Sequence, residues 1–342
     1  MDDLLAFLDN YQVMPGFKAS KLSKLSKVST DGEIFLECAL SETALTNLKQ
    51  ALAVRNLSHN VNYKIVPRAI ANNLKRHPKI KNVIAVGSGK GGVGKSSVAL
   101  NLAKSLLSSG VAVGLLDLDL YGPNIPRMLG FNSPEVSAAH HDLLPLNANG
   151  LAVISLAQVV ANQDPILWRG PMAGKVVDQL FWQADWPDLD YLIIDLPPGT
   201  GDILITVMQK LPVTGAVLVT TPQSIACMDA EKAVGMFRQQ NINLLGFVNN
   251  MSYFICNSCD HKHEIFMGSG INSMIDSLQL DCLLELPLAS EIALANERGA
   301  DLPETITESF GEFAMKVANK INAGKKDRSL MMPGVSVINK ER

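Results

Sequence analysis

The run VGSGKGGVGKSS, Val86 to Ser97, contains Gly89, Gly94, Lys95 and Ser96 at the spacing G-x-x-x-x-G-K-S. Glycines at Gly89, Gly91, Gly92 and Gly94 let successive backbone N–H groups turn inward onto phosphate oxygens. A helix N-terminus behind them adds its dipole, a lysine neutralises the terminal phosphates and a serine hydroxyl can ligate Mg²⁺. Gly89, Lys90, Gly91, Gly92, Val93, Gly94, Lys95, Ser96 and Ser97 are therefore candidate nucleotide-binding residues, with Ser96 the Mg²⁺ ligand. Lys90 is a cation beyond what one set of phosphates requires. A long cation there can reach the phosphates of a neighbouring subunit and supply transition-state charge in trans, as an arginine finger does.

Carboxylates and thiols recur at other apolar run ends. In GLLDLDLYG, Asp117 and Asp119 stand two apart and so on one side of a strand, and YLIIDLPPGTGD ends an apolar run with Asp195. Asp195 suits the carboxylate that holds Mg²⁺ through water, and Asp119 one that orients or deprotonates an attacking water; a helix cap or turn is the plainer reading of each. Cys256 and Cys259 form C-x-x-C in ICNSCDHKH. Two thiolates are half the ligand set of an iron-sulfur cluster, and a two-fold axis between copies completes it. Alternatively, His261 and His263 offer a Cys₂His₂ zinc set within one chain, although Cys259 and His261 are closer than usual zinc spacing. Cys227 and Cys282 read as buried apolar residues. His140 and His141 receive no role, and Trp168 and Arg169 in WRGPM are expected to fix a turn near the nucleotide.

Such groups must be carried on strand ends. From Lys79 onward, apolar β-branched runs (NVIAVG, AVGLLDLD, LAVISLA, YLIID, GAVLVTT, LLGFVNN) alternate with helical segments. This pattern predicts an α/β fold, a doubly wound, mostly parallel sheet between helices, with ligands at the carboxyl ends of the strands. Ahead of it, EIFLECAL, SETALTNLKQALAVRN behind a Ser41 or Thr43 cap, and NYKIV predict a small α+β unit. The expected division is residues 1–78 for the small unit with its linker, 79–324 for the P-loop domain and 325–342 for a flexible tail.

Composition narrows the class. With 342 residues, 47% hydrophobic, 18% charged and a net charge of −3, the chain forms a core and is not disordered. Thr43 to Lys81 holds eight basic residues and no acid, but these are scattered and lack Phe or Trp, so a solvated face is expected and nucleic acid is not expected as a partner. The N-terminal MDDLLAFLDNYQV has acids where a signal peptide has positive charge, and no run reaches the ~18 apolar residues of a membrane span. The expectation is a cytoplasmic protein without a membrane partner. Five cysteines are too few for a disulfide framework in a chain this long.

The set GKGGVGKSS, DLDLYGPNIPRMLG, WRGPM, DLPPGTGD, TTPQS and NNMSYFICNSC resembles the Mrp-type iron-sulfur cluster carrier ATPases, P-loop NTPases of the deviant Walker A group that includes MinD, ParA and the nitrogenase iron protein. The resemblance covers Lys79 to Asn322. It implies ATP bound in a homodimer with Lys90 acting across the interface, and a cluster held by Cys256 and Cys259 for delivery to apoproteins; four thiolates serve a 4Fe-4S or a 2Fe-2S cluster, and the 4Fe-4S type is the one expected. It also implies that Lys90, Lys95, Asp119 and Asp195 serve hydrolysis and that Asn250 contacts adenine. CNSC lacks the proline common after the first cysteine, and the small unit lacks the Cys-Pro signature often seen there, which Cys38 does not replace. A spatial-organising ATPase like MinD or ParA, or a zinc-containing P-loop ATPase, is the alternative.

Overall fold

The computed structural model describes residues 7, 11–14, 17–18, 26–28, 33–57, 60–70, 74–119, 122–131, 143–158, 170–266, 270–325 and 327. His140, His141, Trp168, Arg169 and the tail from 328 onward lie outside the described residues.

The N-terminal segment forms two small sheets. β1 (Gln12–Met14) pairs antiparallel with β2 (Phe17–Lys18). β3 (Ser26–Val28), β4 (Glu33–Leu36) and β5 (Asn60–Tyr63) form the other, with α1 (Glu42–Val54) between β4 and β5. Ser41 caps α1, its side chain accepting from the Ala44 N–H at 3.2 Å. Ala44, Leu48 and Leu52 recur every fourth residue, so one stripe of α1 packs with Ile34 and Leu36.

The large sheet begins with β6 (Ile80–Ser88) and α2 (Lys95–Ser108), then β7 (Val113–Asp117), α3 (Ile125–Met128), β8 (Leu146–Ala148) and β9 (Leu151–Ser155). α4 (Gly170–Val177) runs into a π-helical segment, Asp178–Gln183, ahead of β10 (Leu189–Asp195), α5 (Asp202–Lys210) and β11 (Gly215–Thr220). α6 (Ser224–Gln239), β12 (Leu244–Ile255), β13 (Lys262–His263), α7 (Gly270–Leu278), β14 (Cys282–Pro287), α8 (Ser290–Arg298) and α9 (Glu304–Ala323) follow.

Strand order is β13-β12-β11-β6-β10-β7-β9-β8, with β14 also on β12. All pairings are parallel except β8 with β9 and β12 with β13. Helices cover both faces, as the unbroken apolar runs demand: Phe181, Trp186, Phe237 and Phe247 fill one layer, and Val98, Leu102, Phe310 and Phe313 the other.

The small unit rests on α9. Met315 joins its core, Cys38 is fully buried with its thiol 3.2 Å from Asn319 Oδ1, and burial pushes that thiol up to about 12. Of the eight basic residues between Thr43 and Lys81, Lys49, Arg55, Lys64, Lys75, Lys79 and Lys81 are exposed as expected, and two are not: Arg68, 3% exposed, lies 3.4 Å from Glu37, and Arg76 pairs with Asp327 at 3.1 Å. Their acids lie in other segments, which a local charge count does not see. Arg68→Met, which leaves a buried carboxylate without its guanidinium, should lower unfolding free energy by about 3 kcal/mol in a urea titration. An unchanged midpoint would reject a structural role for this pair.

Candidate functional site

β6 lies mid-sheet between β10 and β11, so the chain leaving Ser88 emerges at the carboxyl end and must turn at once into α2. Two glycines make the turn possible. A Cβ on Gly89 would lie 2.2 Å from the Asp229 carbonyl, and Gly94 has φ +85° with its Cβ position 2.2 Å from Asn250 Nδ2. Asn250 reaches the loop from β12, its Nδ2 donating to the Val93 carbonyl at 2.9 Å. Lys90 is exposed at the mouth, and its carbonyl accepts from Ser88 Oγ at 2.9 Å.

Lys95, by contrast, is 5% exposed. Its Nζ is 2.5 Å from Asp195 Oδ1 and 3.4 Å from Asp119 Oδ2, and Ser96 Oγ donates to Asp195 Oδ2 at 2.5 Å. Burial works against the Lys95 charge, but these carboxylates outweigh it and raise its pKa. Asp195 is raised above the usual carboxylate range by burial, which Lys95 and Ser96 offset only in part. The register sets this up: Asp195 is paired with Val86 on one side and Asp117 on the other. The oxygens of Ser96 and Asp195 are hard donors suited to Mg²⁺.

Asp117 is wholly buried, as its side chain turns inward to hold the following loop. It accepts from the Asp119 N–H at 3.1 Å, the Ile125 N–H at 3.3 Å and Ser155 Oγ at 3.0 Å. Burial and then the Asp195 charge push it up to about 7.

These groups open onto a cleft of about 390 Å³ whose far wall is Asn124, Arg127, Asn296 and Glu297, from the α3 segment and α8. The sequence reading missed all of them. The only local signal was DLDLYGPNIPRM continuing from the carboxylates, and nothing in the sequence ties α8 to the loop.

The cysteines sit in a tight turn beyond β12. The Asp260 N–H donates to the Cys256 carbonyl at 2.9 Å, the Cys256 N–H to the His261 carbonyl at 3.0 Å, and Asp260 has φ +54°. Backbone N–H groups of Ser258 and Cys259 point at Cys256 Sγ and lower its pKa, the preparation a thiolate ligand needs. Among the described residues, no group of three or more His, Cys, Asp or Glu side chains could hold a metal ion. The zinc set within one chain is therefore not assembled. Pairing of β13 with β12 carries His263 onto the sheet edge, where its ring packs edge-on against His261 at 4.7 Å. Cys227 is buried as expected, while Cys282 is only half-buried.

Residues 79–322 match the family model described as ParA, NUBPL iron-transfer P-loop NTPase. The chain belongs to the NUBPL iron-transfer P-loop NTPase family. It is 42% identical over 285 residues to the iron-sulfur cluster carrier protein of Escherichia coli K12, covering 81% of this chain and 75% of that one. The iron-sulfur cluster transfer protein NUBPL of Mus musculus is 46% identical over 223 residues, 64% of this chain and 70% of that one. A nucleotide-binding protein from Archaeoglobus fulgidus, solved with ADP, is 36% identical at a TM-score of 0.56 over 65% of this chain and 87% of its own. The cell division ATPase MinD of Pyrococcus furiosus, at 20% identity over 70% of this chain and 98% of its own with a TM-score of 0.52, shares the fold. As a P-loop NTPase of this family, the chain binds nucleotide.

Asp117 supplies a pH test. Between the ordinary aspartate value near ~4 and about 7, the folded chain keeps a proton that the unfolded chain has released, so stability falls as pH rises through that window and levels off above it. Urea midpoints at pH 5 and pH 8 should differ more in wild type than in Asp117→Asn; equal differences contradict the assignment.

Proposed function

We propose that the chain carries iron-sulfur clusters to recipient apoproteins as a cytoplasmic homodimer whose ATP binding and hydrolysis control the carrier. The observation that carries this reading is the C-x-x-C turn, with backbone N–H groups aimed at Cys256 Sγ, at the same end of the sheet as the glycine loop. The E. coli relative is named an iron-sulfur cluster carrier protein and the mouse relative an iron-sulfur cluster transfer protein. The cluster is cargo: Cys256 and Cys259 of each protomer hold it, and four thiolates from two exposed turns make a shared, releasable site of the 4Fe-4S type.

For ATP, the loop N–H groups and Lys95 receive the phosphates. Ser96 and Asp195 would hold Mg²⁺, which would supply positive charge to the phosphates. Asp119, 3.4 Å from Lys95 Nζ, orients the attacking water. Asn250, already against the loop, contacts adenine, and Lys90 reaches the partner's phosphates. Ile225 and Met228, 68% and 58% exposed on the first turns of α6, supply apolar contact area at this end of the sheet for the second copy. Residues 1–78 form an accessory unit and 79–324 the ATPase and carrier; the flexible tail expected from 325 is corrected at its start, since the Lys325 carbonyl accepts from the Ala69 N–H at 2.7 Å and Asp327 pairs with Arg76 at 3.1 Å. No helix among the described residues is long and apolar enough to cross a membrane.

Two experiments test this. After anaerobic reconstitution, the Cys256→Ala, Cys259→Ala chain should lose iron and sulfide binding at the dimer while keeping ADP affinity; stoichiometric cluster on that variant would falsify the ligand assignment. Lys90→Ala should keep ATP binding but lower kcat about 10³-fold, and wild-type turnover in that variant rules out action in trans.

A further inference from the structure

We propose that Asn296 is a positioning residue for nucleotide binding, its side-chain amide orienting the Ser97 hydroxyl so that the O–H is presented to a phosphate oxygen. Asn296 lies in the last turn of α8, 199 residues from Ser97, and its Nδ2 donates to Ser97 Oγ. Both side chains line the cleft that Lys95 and Ser96 enter.

The argument rests on how a serine hydroxyl divides its hydrogen bonds. It has one proton to give and two lone pairs to receive. A serine in the first turns of a helix commonly gives that proton to the carbonyl four residues back, here Val93, one of whose two lone pairs is already engaged by Asn250 Nδ2 at 2.9 Å, so this acceptor competes less well than an anionic oxygen. The amide of Asn296 takes one lone pair of Ser97 Oγ and turns the proton away from itself. The direction left open is the cleft, into which the N–H groups of the α2 N-terminus also point. An anionic oxygen placed there receives a charge-assisted bond from a hydroxyl already oriented for it.

Asn296 is itself held firmly. Gly299 ends α8 at φ +65°, so close to the turn after α3 that a Cβ would lie 2.8 Å from Gly130 N. α3 is fastened in turn by the Ile125 N–H to Asp117 Oδ2, 3.3 Å. The carboxylate that sets the Asp119 backbone thus also sets the α3 surface on which α8 rests. Asn296 touches no phosphate in this scheme and acts only through Ser97.

The inference rests on nucleotide binding by the loop and not on cluster carriage. Calorimetric titration of the full chain with MgADP tests it, and the wild-type titration reads the loop's binding separately. Asn296→Ala and Asn296→Leu should each weaken MgADP about five-fold and raise KM for ATP similarly, with kcat within about two-fold. In a Ser97→Ala background the same substitutions should change affinity less than about two-fold. Leucine keeps the volume without the donor, so wild-type affinity in Asn296→Leu would show a packing role and overturn the proposal. Additive losses for Asn296→Ala and Ser97→Ala would overturn it too. Should Asn296→Ala melt early by circular dichroism, Asn296→Leu and its double variant carry the test alone.

Discussion

The contact between Lys95 and Asp195 is the constraint on which the site is built. Neither charge is tolerable alone: Asp195 is wholly buried at a strand end, and Lys95 opens the helix packed over it. Pairing them fixes the start of α2 against β10, and through it the loop that leaves β6. Because β10 lies between β6 and β7, the same carboxylate also fixes how near Asp117 and Asp119 come. Three carboxylates around one ammonium leave the pocket short of positive charge. Burial first, and the neighbouring Asp195 charge second, raise the pKa of Asp117 there. A divalent cation answers that deficit better than another side chain, since it adds charge without occupying more of the buried lattice.

The thiol turn solves the opposite problem. It is exposed, and nothing in the core dictates its form, so its own backbone must do so. The left-handed Asp260 and the two crossing bonds between Cys256, Asp260 and His261 close it. The freed N–H groups of Ser258 and Cys259 then aim at sulfur. This stabilises thiolate without burying it. A buried thiol such as Cys38, pushed up to about 12, is held in the protonated form that cannot ligate.

How much of this could be read in the sequence follows from the range of the interactions. The glycine loop, the strand-end carboxylates and the C-x-x-C turn are local patterns whose geometry the chain sets within a few residues, and the apolar runs declared a doubly wound sheet. The ion pairs of Arg68 and Arg76 were misread as solvent-facing charge because their acids are 31 and 251 residues away. Asn296 was missed for the same reason, being brought to Ser97 only by the packing of α8 on α3. The π-helical turn at Asp178–Gln183 also left no periodic signal. The Cys₂His₂ alternative was open in sequence because spacing counts ligands without direction. Among the described residues, Cys256, Cys259, His261 and His263 do not come together as a metal-holding group.

β12 joins the two halves of the molecule's chemistry. Asn250 on this strand bonds the Val93 carbonyl of the glycine loop, and the same strand runs on to Ile255, one residue before Cys256. The thiol turn and the strand residue that anchors the loop therefore lie on one continuous backbone. Met251, at φ +55°, breaks the regular pleat immediately after the anchor. Leu245 to Asn250 are buried, whereas Met251 to Phe254 are half-buried and Ile255 is exposed. The strand is therefore stiff where it is clamped to the loop and loosely packed where it carries sulfur. One hydrogen bond, from Asn250 to the Val93 carbonyl, thus ties the glycine loop to the strand that ends beside the thiol turn.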